Sequence, residues 1–242
     1  MNPRAQTLFH FTRSATWLEG ILQHGLLPRY CLEDIGWAGS SEADFLAFPM
    51  SCFCDIPLSR IQTHSAFYGD YGNGLTKKWG LGNKLSPVVY APPDAHSIQL
   101  LKYLLGQWKR CPASQVHKKE ELRKHVYRLW SSIKPLSGKM IVAGSPVEKE
   151  FYQESEWRYV PESKTMLRRE AFDKAIDKQN RALEKFALKF SPSDIRYLLV
   201  KSEHEVPKLV DFINTHLGMH PHNDIKLLQT RIFSLDSLAV DM

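Results

Sequence analysis

The run TLFHFTRSATWLEGILQHG, residues 7–25, constrains the fold of this chain more than any other stretch. TLFHFT is short, alternating and rich in β-favouring residues, and it predicts a strand. SATWLEGILQHG then supplies a cap at Ser14, apolar Trp17, Leu18, Ile21 and Leu22 at helical spacing, and Gly25 as the stop. Strands and helices go on interleaving along the chain. LAFPMSCFCDIP, SPVVYAP, GKMIVAG, FYQESEWRYVP, IRYLLVKS and KLLQTRIFSL read as strands. LSRIQTHSAFYG, residues 97–110, 117–133 and 167–189, and EVPKLVDFINTHL read as helices. LLPRYCLEDIGWAGSSEADF reads as a loop, and YGDYGNGLTKKWGLGN, dense in Gly and aromatics, as turns. No stretch rich in Gly, Pro or Ser separates two domains. The expectation is a single α+β domain over residues 1–242, with residues 97–135 forming a helical insertion on its sheet.

Composition narrows the function classes. With 242 residues, 43% hydrophobic and 24% charged, the chain can bury a full core. No apolar run reaches the roughly 18 residues that cross a bilayer, and the first residues carry no apolar signal core, so a cytoplasmic protein is expected. Four cysteines are too few and too scattered for a disulfide framework. Neither the Cys52-x-Cys54 pair nor the cluster of His216, His220 and His222 completes a ligand set, and no metal is expected. The net charge of +6 is unevenly placed. Residues 102–139 hold ten Lys or Arg against Glu120 and Glu121, so the rest of the chain is net acidic. Such an excess suits a polyanion and equally describes a solvated helix face.

Three groups of residues could carry chemistry. Read as a strand, FYQESEWRY projects Glu154, Glu156 and Arg158 from one face. They form either a solvated set of ion pairs or a built site. His10 and Thr12 share a face of the first strand, where a histidine can serve ribose hydroxyls or an amide, or be purely structural. YGDYGNGLTKKW lacks the spacing of a P-loop, although Gly72, Gly74 and Lys77 could form a backbone nest for a pyrophosphate.

The opening LFHFTRSATWLEGILQHGLLP resembles ADP-ribosyltransferase-fold toxins of the DarT type, in which a His-x-Thr strand precedes a helix. That resemblance implies an ADP-ribosyltransferase-like fold with a split antiparallel or mixed sheet, and NAD contacts from His10 and Thr12. It also implies that Arg60, in CFCDIPLSRI, lies near the nicotinamide ribose and that Tyr68 or Tyr71 stacks on nicotinamide. The longer run CFCDIPLSRIQTHSAFYGDYGNGLTKKWGLGNKLSPVVY, with FYQESEWRYVP, resembles the AbiGi abortive-infection family of phage-defence proteins. In the transferase fold a glutamate on a catalytic strand binds the nicotinamide ribose and steadies the oxocarbenium-like centre, often with an acidic residue two positions earlier. Glu156 and Glu154 have that spacing, and Arg158 would help hold Glu156 ionised.

Two functions follow. One is an anti-phage toxin that transfers ADP-ribose from NAD to RNA or DNA, the nucleic acid being held by Lys118, Lys119, Arg123 and Lys124 of the basic insertion. The other is an antitoxin-like or sensor module that keeps the fold without turnover and binds a protein encoded by a neighbouring gene.

Overall fold

The computed structural model describes residues 5–38, 45–142, 145–162 and 166–241. In chain order the elements are β1 (Thr7–Thr12), α1 (Ala15–His24), β2 (Arg29–Asp34), β3 (Phe45–Cys54), α2 (Ile61–Tyr68), β4 (Tyr71–Thr76), α3 (Lys77–Gly82), β5 (Ser86–Pro87) and β6 (Val89–Ala91). There follow α4 (His96–Arg110), α5 (Val116–Ser132), β7 (Ile133–Pro135), β8 (Ser137–Val142), β9 (Ser145–Glu150), β10 (Glu156–Tyr159) and β11 (Leu167–Arg168). The last are α6 (Arg169–Arg181), β12 (Ile195–Val200), α7 (Val206–His216), α8 (His222–Gln229), β13 (Ile232–Ser234) and α9 (Leu235–Asp241). The fold is α+β. Where one domain was expected, the chain clusters into two compact units, each of several segments. Met1–Leu27, Cys52–Ser86 and Phe186–Met242 form the first, and Pro28–Ser51 and Pro87–Lys185 form the second.

In the first unit β4 lies between β1 and β12, antiparallel to both, and β13 runs parallel to β12. Phe9 and Phe11 project from one face of β1 into a core with Cys54, Ile56, Ile61, Leu199 and Leu235. His10 and Thr12 alternate onto the opposite face. Across the strand from Phe9 stands Gly74, where an added Cβ would lie 2.8 Å from the Phe9 ring and 2.7 Å from Thr7 Cγ2. The glycines of YGNGLT are therefore strand residues that make room for aromatic rings, not the turns their composition predicts. Ser14 caps α1 by accepting the Trp17 N–H, and Gly25 ends it at φ +84°.

In the second unit β2 pairs antiparallel with β3, from Arg29 opposite Met50 to Asp34 opposite Phe45, and β11 also joins β3. The expected loop over residues 26–45 thus contains a six-residue strand, because a long neighbouring strand overrides a polar local composition. The insertion is a helical hairpin, α4 and α5, close to the bounds its periodicity predicts. It packs Ile98 with Ala91 and Ile133 and sets Tyr127 and Trp130 against Phe48.

Two helix boundaries differ from expectation. The helix over residues 167–189 stops at Arg181. Further on, in the first unit, Leu188 exchanges backbone hydrogen bonds with Leu26 at 2.8 and 3.0 Å, which requires extended chain. KLLQTRIFSL is the end of α8 followed by β13, since Ile225 and Leu228 make a buried stripe at helical spacing.

The tight approach at Gly74 yields a test. Gly74→Val should lower unfolding stability by about 1–3 kcal/mol through overpacking against Phe9 and Thr7, read as a reduced urea midpoint with an unchanged m-value.

Candidate functional site

The stretch FYQESEWRY is not one continuous strand. Phe151–Glu154 forms a 3-10 turn, Ser155 adopts a left-handed conformation at φ 44° and ψ 50°, and only then does β10 begin. Glu154 and Glu156 nevertheless converge, because the turn carries Glu154 back toward the side of β10 from which Glu156 projects. Their surroundings are the reverse of a solvated face. Glu154, Glu156 and Arg158 are only 3%, 6% and 3% exposed.

What joins them is Lys134, from the wholly buried β7. Its Nζ lies 2.9 Å from Glu154 Oε2 and 3.2 Å from Glu156 Oε2, and 4.3 Å from the centre of the Phe151 ring. Lys149 Nζ meets the other oxygen of Glu154 at 2.7 Å. Arg158 grips Glu156 with a two-pronged fork, Nε to Oε1 at 2.8 Å and Nη2 to Oε2 at 3.0 Å. The same guanidinium donates to the Ser131 carbonyl and to Glu33 Oε2, both at 2.9 Å. Three carboxylates and three cations thus form one buried lattice, in which every oxygen of Glu154 and Glu156 meets a cation.

The electrostatics follow from this packing. Burial alone would push Lys134 down, but the charges of Glu156, Glu33 and Glu154 override it and hold the ammonium well above its usual range. Burial alone would raise Glu154, yet the nearby cations, Lys134 foremost, leave it below the usual carboxylate range. Tyr90 Oη accepts the Glu156 N–H at 2.8 Å, and burial, followed by the charge of Glu156, raises its phenol far above normal.

The residues expected to bind NAD beside Glu156 belong to the first unit. His10 Nδ1 lies 2.8 Å from the Cys52 carbonyl. A carbonyl only accepts, so the proton resides on Nδ1 and the Nε2 lone pair is left as an acceptor. Burial depresses the His10 pKa against the opposing pull of that bond, which keeps the ring neutral. Thr12 is buried directly across from Tyr71. Tyr71 Oη donates to Glu205 Oε1 at 2.6 Å, and burial together with Glu205 pushes its pKa up to about 12. Tyr68 stacks on His64, with ring centroids 4.6 Å apart. Arg60 is exposed at the start of α2. The nest expected from Gly72 and Gly74 is absent, since both lie in the ladder of β4, and Lys77 pairs with Asp55 at 2.6 Å.

The four basic residues chosen for nucleic acid do not share a face of α5. At about 100° per residue, Lys118 and Lys124 point outward while Lys119 and Arg123 lie on the half-buried flank. Arg123 forms two hydrogen bonds to Glu120, at 2.8 and 2.7 Å. Lys134, counted by sequence within the basic excess, is absorbed by the carboxylate lattice.

Sequence reasoning missed Lys134, Lys149 and Glu33, for no pattern links residues 33, 134, 149 and 154. It also missed Asn73, which sits opposite His10 in the ladder, wholly buried, with neither amide atom hydrogen-bonded among the described residues.

Removing Lys134 tests the lattice. Lys134→Met should destabilise the protein by about 3–5 kcal/mol, because the carboxylates stay buried without their shared cation. Glu154 adds a pH signature. Its folded pKa lies below the unfolded one, so its stabilisation is complete at neutral pH and is lost as pH falls below about 4.5. With Lys134 gone, Glu154 rises toward its unfolded value and the acid limb of a urea-midpoint profile should flatten. His10 supplies a separate limb. Its depressed pKa means that stability declines as pH drops below about 6.5, and His10→Gln should flatten that part of the profile.

Among the described residues no helix is long and apolar enough to cross a membrane, and no cluster of His, Cys, Asp or Glu could hold a metal ion. No solved structure matches the chain. Residues 24–201 match the family model described as "Putative abortive phage resistance protein AbiGi, antitoxin". The abortive phage resistance protein AbiGi of Lactococcus lactis subsp. cremoris is 30% identical over 250 residues, covering 89% of this chain and 98% of that protein. The motif CFCDIPLSRIQTHSAFYGDYGNGLTKKWGLGNKLSPVVY lies inside the matched region, and the chain belongs to the AbiGi family of abortive phage resistance proteins.

Proposed function

We propose that this chain is the antitoxin of a two-protein abortive-infection pair and restrains its toxin by direct binding rather than by turnover. The observation that carries this reading is the saturation of Glu154 and Glu156. A glutamate that is to bind ribose hydroxyls and face a developing positive charge needs oxygens available to the substrate. Here Lys134, Lys149 and Arg158 already occupy them, at 2.7–3.2 Å. The match to a family model described as an antitoxin agrees with this reading.

A second reading is the transfer of ADP-ribose from NAD to RNA or DNA, on an ADP-ribosyltransferase-like fold. The grip of the Arg158 guanidinium on Glu156 supports it, since a cation there helps to keep the carboxylate ionised as that chemistry requires. In that case Lys134 would have to leave Glu156 when NAD binds.

One experiment separates the two. The purified chain is incubated with labelled NAD together with RNA, single-stranded DNA or cell lysate, and in parallel is titrated with the protein encoded beside its gene. The expected result is a stable complex that relieves growth arrest by that neighbour, with no label transferred. Label transfer that disappears in Glu156→Gln, with circular dichroism unchanged, would replace the antitoxin reading with the enzymatic one.

A further inference from the structure

The end of β4, α3 and the chain entering β12 border one cavity of about 590 Å³, and all of its walls belong to the first unit. Thr76, Lys78 and Asn83 line it on one side, and Asp194 and Arg196 on the other. That size suits a small molecule. The lining does not suit an apolar one, since each of these side chains is polar. The large aromatic of the wall, Trp79, is committed to the protein. It is buried, its indole N–H donates to the Lys189 carbonyl at 2.9 Å, and Phe53 and Phe190 pack against its ring in edge-type contacts.

Arg196 reaches this cavity through an irregularity in the sheet. Along β12, Leu198 stands opposite Asn73, Tyr197 opposite Gly74, and Ile195 opposite Leu75. One residue of β12 is therefore extra, and it is Arg196. In a regular strand Ile195 and Tyr197 would share a face. Here Ile195 is buried across from Leu75, while the Tyr197 ring stacks on Phe9 on the other face. Such a bulge gives up ladder pairing and re-aims a side chain. This one is held in place, because the Arg231 guanidinium donates to the carbonyls of Pro192 and Ile195 on the entry to β12.

The charges around the cavity are unmatched. Lys77 closes on Asp55 at 2.6 Å, but Lys78 and Arg196 are exposed and have no carboxylate partner among the described residues. Thr76 Oγ1 accepts the Trp79 N–H at 3.1 Å, which leaves its hydroxyl proton to donate. Asn83 Nδ2 gives one proton to the Trp79 carbonyl at 2.9 Å and keeps the other. Two cations and two neutral donors suit a phosphoryl group. Asp194 adds the opposite function. Its Oδ2 takes the Ser191 N–H and hydroxyl at 2.9 and 2.8 Å, and its Oδ1 accepts from no described residue. A ligand that satisfies both ends carries a phosphate and, beside it, a hydroxyl that donates.

We propose that this cavity binds a sugar phosphate, alone or as the sugar-phosphate end of a mononucleotide, with the phosphoryl group between Lys78 and Arg196 and a sugar hydroxyl donating to Asp194 Oδ1. The site uses none of the residues on which the antitoxin and transferase readings rest, so it stands or falls apart from them.

The test is calorimetry on the full chain with ribose 5-phosphate, AMP, inorganic phosphate, ribose and a single-stranded RNA. Ribose 5-phosphate and AMP should each fill one site and compete with one another. Inorganic phosphate should compete about tenfold or more weakly, and ribose should not bind. AMP tighter than ribose 5-phosphate identifies a mononucleotide, and equal affinity a free sugar phosphate. Lys78→Gln and Arg196→Gln should each weaken ribose 5-phosphate by about tenfold or more, with the thermal midpoint of the unliganded chain unchanged because both positions are exposed. Asp194→Asn should weaken ribose 5-phosphate but not inorganic phosphate. Lys226→Gln, on an exposed cation of α8 outside the cavity, should bind as wild type does. Inorganic phosphate as tight as the esters makes this a plain anion site and overturns the proposal. So does binding of RNA without either small ester, wild-type affinity in the Lys78 and Arg196 variants, or no binding of any probe.

Discussion

The lattice of Glu33, Lys134, Lys149, Glu154, Glu156 and Arg158 is the constraint on which the second unit depends. Removing six charges from water is expensive, and the arrangement persists because acids and bases balance and each carboxylate oxygen of Glu154 and Glu156 has a cation partner. That requirement fixes geometry at a distance along the chain. Lys134 must come from a strand whose three residues are all buried, and Glu33 must stand at the end of β2. Glu154 must be turned back by the left-handed Ser155. A pair of apolar residues in place of any two members would fill the volume without dictating which segment meets which. The lattice therefore specifies the packing of β2, β7, β9 and β10 more than it stabilises it.

The first unit solves a different problem. Its central strand β4 is narrow, carrying Gly72 and Gly74, so that Phe9 and Phe11 of β1 can lie over it with Tyr197, whose ring stacks 5.7 Å from Phe9. On the other face the side chains become polar and mostly buried. His10, Thr12, Tyr71 and Asn73 stand there within two neighbouring strands. His10 is anchored through Cys52 and Tyr71 through Glu205, so both are fixed in orientation. Asn73 stands apart from this scheme, since among the described residues its amide gains no hydrogen-bond partner in return for its burial.

Much of this was legible in the sequence where local chemistry and tertiary packing agree. The strand and helix over residues 7–25 follow from Ser14, Gly25 and a clean apolar stripe. The helical insertion follows from two periodic segments on either side of Pro112. Legibility failed where a distant partner decided the outcome. YGNGLT is a strand because β1 and β12 flank it, although four of its six residues are Gly, Asn or Thr. β2 exists because β3 offers six consecutive partners. The site shows the same division. The spacing of Glu154, Glu156 and Arg158 was visible, but their burial was not, because the cations that permit it lie elsewhere in the chain or, as with Lys134, read as part of a basic surface.

That last substitution of roles bears on function. Without Lys134, and with Arg123 committed to Glu120, the basic excess of the insertion loses two of its members as free ligands for phosphate. What the hairpin still presents to solvent is Leu100 and Tyr103 on one side of α4 and Lys102 and Lys109 on another, together with a mixed row on α5 that includes Glu121. A polyanion binds most tightly where cations outnumber every other group along its path. The same burial that surrounds Glu156 with cations thus also lowers the positive charge that the insertion shows to solvent. Both changes follow from where a single lysine side chain points.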